Sequence, residues 1–328
     1  MEKKDSEKIK QLIYKYINRN LVNIYCRKRN KSSIKEFNDL ISIIMLSFNR
    51  IEDTKFSIKQ LYKHSKFPFE LILFDNNSDK IQIAELRKFT KRYKNLKLIE
   101  SKMNLGVAKG RSKAANYAKG KYYFFMDNDI VVTPYYMENL IEVLESDPKT
   151  VAVCSKVIFP NLNIQFNGGT LVKDGDFYIF NLLDSGKLFW SRDTLNNYIK
   201  CGWIPGGCTL WKAKYYKNFP IDEKMEGSYE DNEVSLRINE AGYNVRNCPA
   251  SITIHYHTLF QDEQFSNREK RYIAGRYNNN RTIKALRRFW EVHKKIFIFN
   301  IEEATYWFLK DYSRENIKKF IMSKDEEN

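Results

Sequence analysis

The chain is poor in the residues that would tie it together covalently or carry it across a membrane. Five cysteines (Cys26, Cys154, Cys201, Cys208, Cys248) are odd in number and contain no Cys-x-x-Cys pair. That excludes a fully paired disulfide frame and a common zinc-site spacing, and reads as reduced thiols in a cytosolic protein. No apolar run approaches the ~18 residues that a membrane-spanning helix requires. Lys15 and Arg19 interrupt the apolar residues of the N-terminus, so a signal-peptide core is not expected either. The expected location is therefore the cytoplasm, or the cytoplasmic face of a membrane. With 13 glycines and 7 prolines in 328 residues, neither a repeat nor a low-complexity linker is visible.

Acidic charge is also in deficit. Forty Asp and Glu face 56 Lys and Arg, a formal charge of +16. This favours anionic partners such as phosphorylated ligands, acidic membranes, anionic polymers or nucleic acid, without choosing among them. The hydrophobic content of 43% is that of a globular chain, long enough for one large domain with appendages or for two small ones.

Three segments follow. Residues 1–39 are basic, and Ile9, Leu12, Ile13, Tyr16, Ile17, Leu21 and Ile24 recur at helical spacing among Lys8, Lys10, Lys15, Arg19 and Arg27-Lys28-Arg29. Such a basic amphipathic helix can lie on an anionic membrane, or dock on its own domain or on another subunit. From Ile41 the pattern alternates. Strands are expected at Ile41–Leu46, Phe69–Phe74, Leu96–Ile99 and Tyr122–Met126, with helices over 52–64, 81–94 and from Leu105-Gly106 to about Lys119. This βαβ alternation predicts a parallel sheet with helices on its faces and ligands beyond the carboxyl ends of its strands. After residue 150 the pattern is irregular. From 262 it is helical and basic again, with Arg276, Arg281, Lys284, Arg287 and Arg288 before the apolar run Ile296–Phe299.

The fourth strand ends in Asp127-Asn128-Asp129. In an extended chain, residues two apart share a side, so both carboxylates are expected to face one spot. Two like charges held together favour a bridging cation, and all-oxygen ligands suit Mg²⁺ or Mn²⁺, which commonly share their sites with phosphates. A solvated acidic turn is the plain alternative.

Taken in order, five motifs resemble the family 2 glycosyltransferases, inverting enzymes of the GT-A fold, over roughly residues 40–260. They are Ile44-Met45-Leu46-Ser47-Phe48-Asn49-Arg50, Asp75-Asn76-Asn77-Ser78, Asn104-Leu105-Gly106-Val107-Ala108-Lys109-Gly110-Arg111, Asp127-Asn128-Asp129, and Tyr229-Glu230-Asp231-Asn232-Glu233 running on to Gly242-Tyr243. The resemblance implies a Rossmann-like, mostly parallel α/β sheet in a domain spanning 40–261. Residues 40–130 form its nucleotide-binding half and 131–261 its acceptor-binding half, with helical extensions at 1–39 and 262–328. It implies a nucleoside-diphosphate sugar donor, with a UDP-sugar the first choice, contacted by Ser47, Asn49, Asp75, Asn104, Arg111, Asp127 and Asn128. Asp75 would accept from the base. A divalent Mn²⁺ or Mg²⁺ would be held by Asp129, with Asp127 nearby and His255 completing the site; His257 is the reserve. Asp231 would be the general base and Glu230 would orient the acceptor or Asp231. Gly206, Gly207 and Trp203 would line the acceptor side. Lys109 stands where the family often has a small residue, and Asn232-Glu233 replaces its commoner second Asp.

The acceptor stays open between a saccharide, lipid-linked or cell-surface glycan and a peptide or protein side chain. Oligomerisation through the terminal helices is open as well. A sugar nucleotidyltransferase is the rival enzyme, but Ser47-Phe48-Asn49-Arg50-Ile51 lacks the glycine-rich loop it needs. A basic nucleic-acid-binding protein has no use for the acidic set, so no nucleic-acid partner is expected.

Overall fold

The computed structural model describes residues 6, 9–10, 12–30, 32–34, 36–191, 198–225, 229–256, 279–299, 315, 318 and 321–322. A π-helical stretch, Ile13–Asn18, runs into α1 (Arg19–Arg29). The domain then alternates β1 (Ile41–Ser47), α2 (Ile51–His64), β2 (Phe69–Asp75), α3 (Lys80–Thr90), β3 (Leu96–Glu100), α4 (Val107–Ala115) and β4 (Tyr122–Asp127). There follow β5 (Ile130–Val132), α5 (Tyr136–Glu145), β6 (Thr150–Ile158), β7 (Ile164–Phe166), β8 (Gly169–Asp174), β9 (Phe177–Leu182), β10 (Ile199–Cys201), β11 (Thr209–Lys212) and α6 (Ala213–Asn218). The last are α7 (Glu230–Glu240), β12 (Asn244–His255), α8 (Asn279–His293) and β13 (Ile296–Phe299).

The main sheet has the order β10-β12-β6-β11-β4-β1-β2-β3. The β4-β1-β2-β3 half is parallel throughout, as the βαβ alternation requires. Beyond it the sheet is mixed, because β11 inserts antiparallel between β4 and β6. The chain steps from β1 outward to β2 and β3, then returns to β4 on the other side of β1. That reversal opens a crevice at the carboxyl ends of β1 and β4, where Leu46 pairs with Asp127 and Ser47 with Asp75.

β4 is buried on both faces, which is why it reads as a continuous apolar run: Tyr122 to Met126 are each at most 2% exposed. Burying each large side chain there contributes roughly 1.5–3 kcal/mol. The strand therefore holds Asp127 at its exit with little play. All five cysteines are buried free thiols. Among the described residues, no helix is long and apolar enough to cross a membrane.

One segment departs from the sequence expectation. Ile296–Phe299 is a strand, not helix: β13 pairs in parallel with β9 and completes a second sheet, β13-β9-β8. Its β-branched and aromatic residues prefer an extended ladder once an edge is offered. The helical stripe of the N-terminus faces outward. Leu12, Tyr16, Ile17, Leu21 and Ile24 are 44–62% exposed, while Val22 and Cys26 turn inward at 0% and 5%.

Gly120, at the turn into β4, lies against the chain that enters β1. A Cβ there would sit 2.6 Å from the Ser42 nitrogen and 2.7 Å from the Leu40 oxygen, both backbone atoms. Gly120→Ala is expected to lower stability by about 2–4 kcal/mol, read from chemical denaturation.

Candidate active site

The crevice collects two arginine-centred networks and one loop scaffold. The first network surrounds Asp129. β4 stops at Asp127 and the chain turns through Asn128-Asp129 into β5. The sequence expectation that both carboxylates face one spot assumed an extended chain, and this turn sends them to different partners. Asp129 Oδ2 accepts from Arg50 Nη1 at 2.8 Å, and its Oδ1 lies 3.3 Å from His255 Nε2. Burial pushes the Asp129 carboxyl up, but His255 and Arg50 outweigh that and hold it well below the usual carboxylate range. His255 ends β12 and is oriented by a 2.7 Å bond between its Nδ1 and Gln165 Oε1 on β7. Orientation of one ring nitrogen by a second group is a common device for presenting the other.

Arg50 is placed by backbone strain. Asn49 and Arg50 both have φ near +53°, a left-handed conformation that is uncommon for an arginine. Side chains hold it there. The Asn49 N–H donates to Ser78 Oγ (2.7 Å) and Asn49 Oδ1 accepts from the Asp79 N–H (2.9 Å). Arg50 also donates to Asp53 Oδ2 (3.1 Å) and to the Tyr256 carbonyl (3.1 Å). The Asn49 side-chain nitrogen is buried with no hydrogen-bond partner among the described residues.

The second network surrounds Arg111, at the middle of α4. Its Nη2 donates to Asp127 Oδ1 at 2.7 Å and its Nη1 to Glu230 Oε1 at 3.3 Å. Arg111 and Glu230 are each 6% exposed. The loop Pro205-Gly206-Gly207 crosses this pair. A Cβ on Gly206 would overlap Arg111 Nη1, and one on Gly207 would lie 2.8 Å from Asp127 Oδ2. A side chain at either position would have to push the Arg111 or Asp127 head group aside. The Gly206 N–H in turn donates to Asp231 Oδ2 at 3.1 Å. Burial pushes the Asp231 carboxyl above the usual range, opposed by Arg111 and by the N–H groups of Gly206 and Asn232.

The scaffold lies at β1 and β2. Asp75 is 2% exposed. Its Oδ2 accepts from the Ser78 N–H at 2.9 Å and its Oδ1 from the Ser78 hydroxyl, an Asx turn closing the loop. Burial raises the Asp75 carboxyl against these bonds. Asn76 donates to Asn104 Oδ1 (3.0 Å) and to the Gly106 carbonyl (3.1 Å), tying the second motif to the third. Ser47 Oγ bonds Thr54 Oγ1 (3.2 Å), which also accepts from Asn128 Nδ2 (2.9 Å).

The crevice thus gathers Ser47, Asn49, Asp75, Asn104, Arg111, Asp127, Asn128, Asp129, Glu230, Asp231, His255, Gly206 and Gly207. Trp203 departs from it. The indole is 6% exposed, packs against Phe166 and Phe180, and donates to the Asn181 carbonyl, so it fills the core under the loop and offers no open face. His257 lies outside the described residues. Arg50 and Gln165 escaped the sequence reading. Arg50 stands in the quoted Ser47–Arg50 motif and was legible as a cation beside acids. Gln165 carries no sequence signal, since only the β6–β7 pairing brings it to His255.

Among the described residues, no three His, Cys, Asp or Glu side chains cluster closely enough to hold a metal by themselves. Asp129 and His255 offer two donors, an oxygen and an imidazole nitrogen. The carboxylate suits a Mn²⁺- or Mg²⁺-type ion that would draw its remaining ligands from phosphates and water; the imidazole favours Mn²⁺ over Mg²⁺, which prefers oxygen ligands throughout.

The glycosyl transferase family 2 model matches residues 42–216, more than half of the chain. The protein belongs to this family. An uncharacterized glycosyltransferase of Methanocaldococcus jannaschii is 28% identical over 57% of the chain and 60% of its own length. A cholesterol galactosyltransferase of Borreliella burgdorferi is 29% identical over 38% of the chain and 35% of its own length. The chain therefore spans less than two thirds of these relatives. In fold, it resembles GalNAc-T7, crystallised with UDP, GalNAc and Mn²⁺. The TM-score is 0.58 and the identity 16%, covering 98% of this chain and 65% of that one. It also resembles the mannosyltransferase PcManGT of Pyrobaculum calidifontis, in complex with GDP-Man and Mn²⁺. There the TM-score is 0.52 and the identity 14%, over 88% of this chain and 77% of that one. The fold is GT-A.

Gly206→Ala is expected to push the Arg111 guanidinium off Asp127 and Glu230 and so to lower stability by about 3–5 kcal/mol, read from chemical denaturation.

Proposed function

We propose that this family 2 member transfers a sugar, with inversion, from a nucleoside-diphosphate sugar to a saccharide, lipid-linked or cell-surface glycan acceptor. A UDP-sugar is the first candidate donor. The observation that carries this reading is the convergence, at one sheet switch point, of the Asp129–His255 pair, the Arg111–Asp127–Glu230 network and the Asp231 carboxylate. The two neighbours in fold crystallised with Mn²⁺, one with UDP and one with GDP-Man, support a diphosphate donor and a divalent ion.

Each residue then has a task. Asp75 and Asn104 lie on the scaffold that would receive the nucleotide, with Asp75 accepting from the base. Arg111 and Asp127 meet the donor sugar side. Asp129 and His255 would hold the ion, which supplies neutralisation of the charge that grows on the departing diphosphate. Arg50, now paired with Asp129, is the cation that must yield or share that carboxylate. Asp231 takes the proton from the acceptor hydroxyl. The acceptor oxygen bonds the anomeric carbon as the bond from that carbon to the diphosphate oxygen breaks, and the nucleoside diphosphate leaves with the electron pair. Attack from the face opposite the leaving group inverts the centre. Glu230, fixed by Arg111, orients the acceptor or Asp231. An aspartate raised by burial is a better base than an exposed one.

A panel of nucleotide sugars read by thermal shift and turnover, with and without Mn²⁺, tests the reading. Stabilisation by a UDP-sugar only with the ion is expected; indifference to every nucleotide sugar overturns it. Asp231→Asn should lower turnover by about 10²–10⁴-fold while leaving donor binding intact. In the wild type, kcat/KM should fall as pH drops through the Asp231 pKa, tenfold per unit, with the midpoint above the ~4 of an ordinary aspartate. A limb that persists unchanged in the Asn variant assigns it to another group.

A further inference from the structure

The N-terminal helix has two faces with different environments. The inward face is already used: Val22 and Cys26 sit in a cluster with Val131, Ile254 and Tyr256. Cys26 Sγ contacts Thr133 Oγ1 at 3.3 Å, and Asn18 donates to the Pro160 carbonyl at 2.8 Å. With that face seated, the stripe Leu12, Ile13, Tyr16, Ile17, Leu21 and Ile24 points away from the domain, and each member is 37–62% exposed. Contiguous exposed apolar residues of this kind mark an interaction site. Charge decides which kind. No acidic residue occurs between Lys8 and Lys35, and the helix ends in Arg27-Lys28-Arg29, all exposed.

We propose that this outward face docks on an anionic lipid bilayer. An apolar stripe flanked by cations inserts about 5–10 Å into the headgroup boundary while the cations meet acidic lipids. A second copy of the chain would gain from the stripe but would set like charges against each other.

The same helix adjoins the site. Tyr256 donates through its hydroxyl to the Tyr14 carbonyl (3.2 Å), stacks edge-on against Phe56, and gives its backbone N–H to the Asp129 carbonyl (2.9 Å). Its own carbonyl accepts from Arg50. A bilayer beneath the helix therefore lies beside the Asp129 end of the crevice, which suits an acceptor carried on a lipid. The bilayer contact stands independently of the sugar-transfer reading; the lipid-borne acceptor rests on it.

The test is co-sedimentation of the full chain, without donor or acceptor, with phosphatidylcholine vesicles and with vesicles containing about 30% phosphatidylglycerol. Two variants accompany the wild type: Ile13→Ser/Ile17→Ser/Leu21→Ser/Ile24→Ser, and Arg27→Gln/Lys28→Gln/Arg29→Gln. All substituted side chains are exposed, so melting temperatures should match the wild type. Binding to the acidic vesicles alone is expected, weakened by salt, with a loss of at least about tenfold in each variant. Absence of wild-type binding, or full binding by the serine variant, overturns the proposal. So does a concentration-dependent dimer that the serine variant dissolves while vesicles are ignored, which makes the stripe an interface between copies. Failure here leaves the transfer reading intact, whereas inactivity with intact vesicle binding refutes transfer alone.

Discussion

A buried guanidinium joins the two walls of the crevice. Arg111 stands on α4 in the parallel half of the sheet, and its partners are Asp127 at the tip of β4 and Glu230 at the start of α7. A cation taken out of water must be paired, and removing one partner of a buried pair typically costs about 3–5 kcal/mol. The chain is therefore obliged to bring α7 to the mouth of the β1–β4 crevice, and the glycine loop is the closest backbone that can pass over the guanidinium. Asp231, next to Glu230, is carried into position by the same constraint. The geometry of the acidic set follows from charge compensation as much as from hydrophobic packing.

Arg50 repeats the arrangement at the other acid of the Asp-x-Asp turn. It is held in a strained left-handed backbone by Asn49, Ser78 and Asp79, so residues from two loops cooperate to aim one side chain. Strain of this sort, about 1–3 kcal/mol per residue, persists only where surrounding bonds over-determine it, and it gathers at functional sites.

The parallel half of the fold was legible because β1, β2 and β4 are largely buried apolar runs, the edge strand β3 is short but follows the same alternation, and each helix has one apolar side; β1 to β4 fall within a residue of their expected ends. The acidic motifs were legible because strand ends in such sheets meet. Less could be read of the second half. β8, β9 and β10 are short and partly exposed, with no period long enough to stand out, and β13 is extended only because β9 offers it an edge. Asp127 and Asp129 were expected to point together, but a two-residue turn decides direction and leaves no trace in composition. Trp203 was expected on the acceptor side, yet its packing is set by Phe166 and Phe180, which periodicity does not connect to it. The N-terminal stripe was read correctly as a face; which way it looks was set by Val22 and Cys26, two residues outside it.

The C-terminal region bears on the stiffness of the crevice. His293 of α8 lies 3.1 Å from Glu233 of α7, and Phe297 of β13 packs edge-on at 4.1 Å against Tyr229. The helix bearing Glu230 and Asp231 is thus braced by chain that follows it, whereas the shared family model ends at residue 216. That wall of the crevice is therefore tied mechanically to the second sheet: whatever lifts β13 from β9 also loosens the helix that carries Glu230 and Asp231, although neither residue touches the strand that is moved.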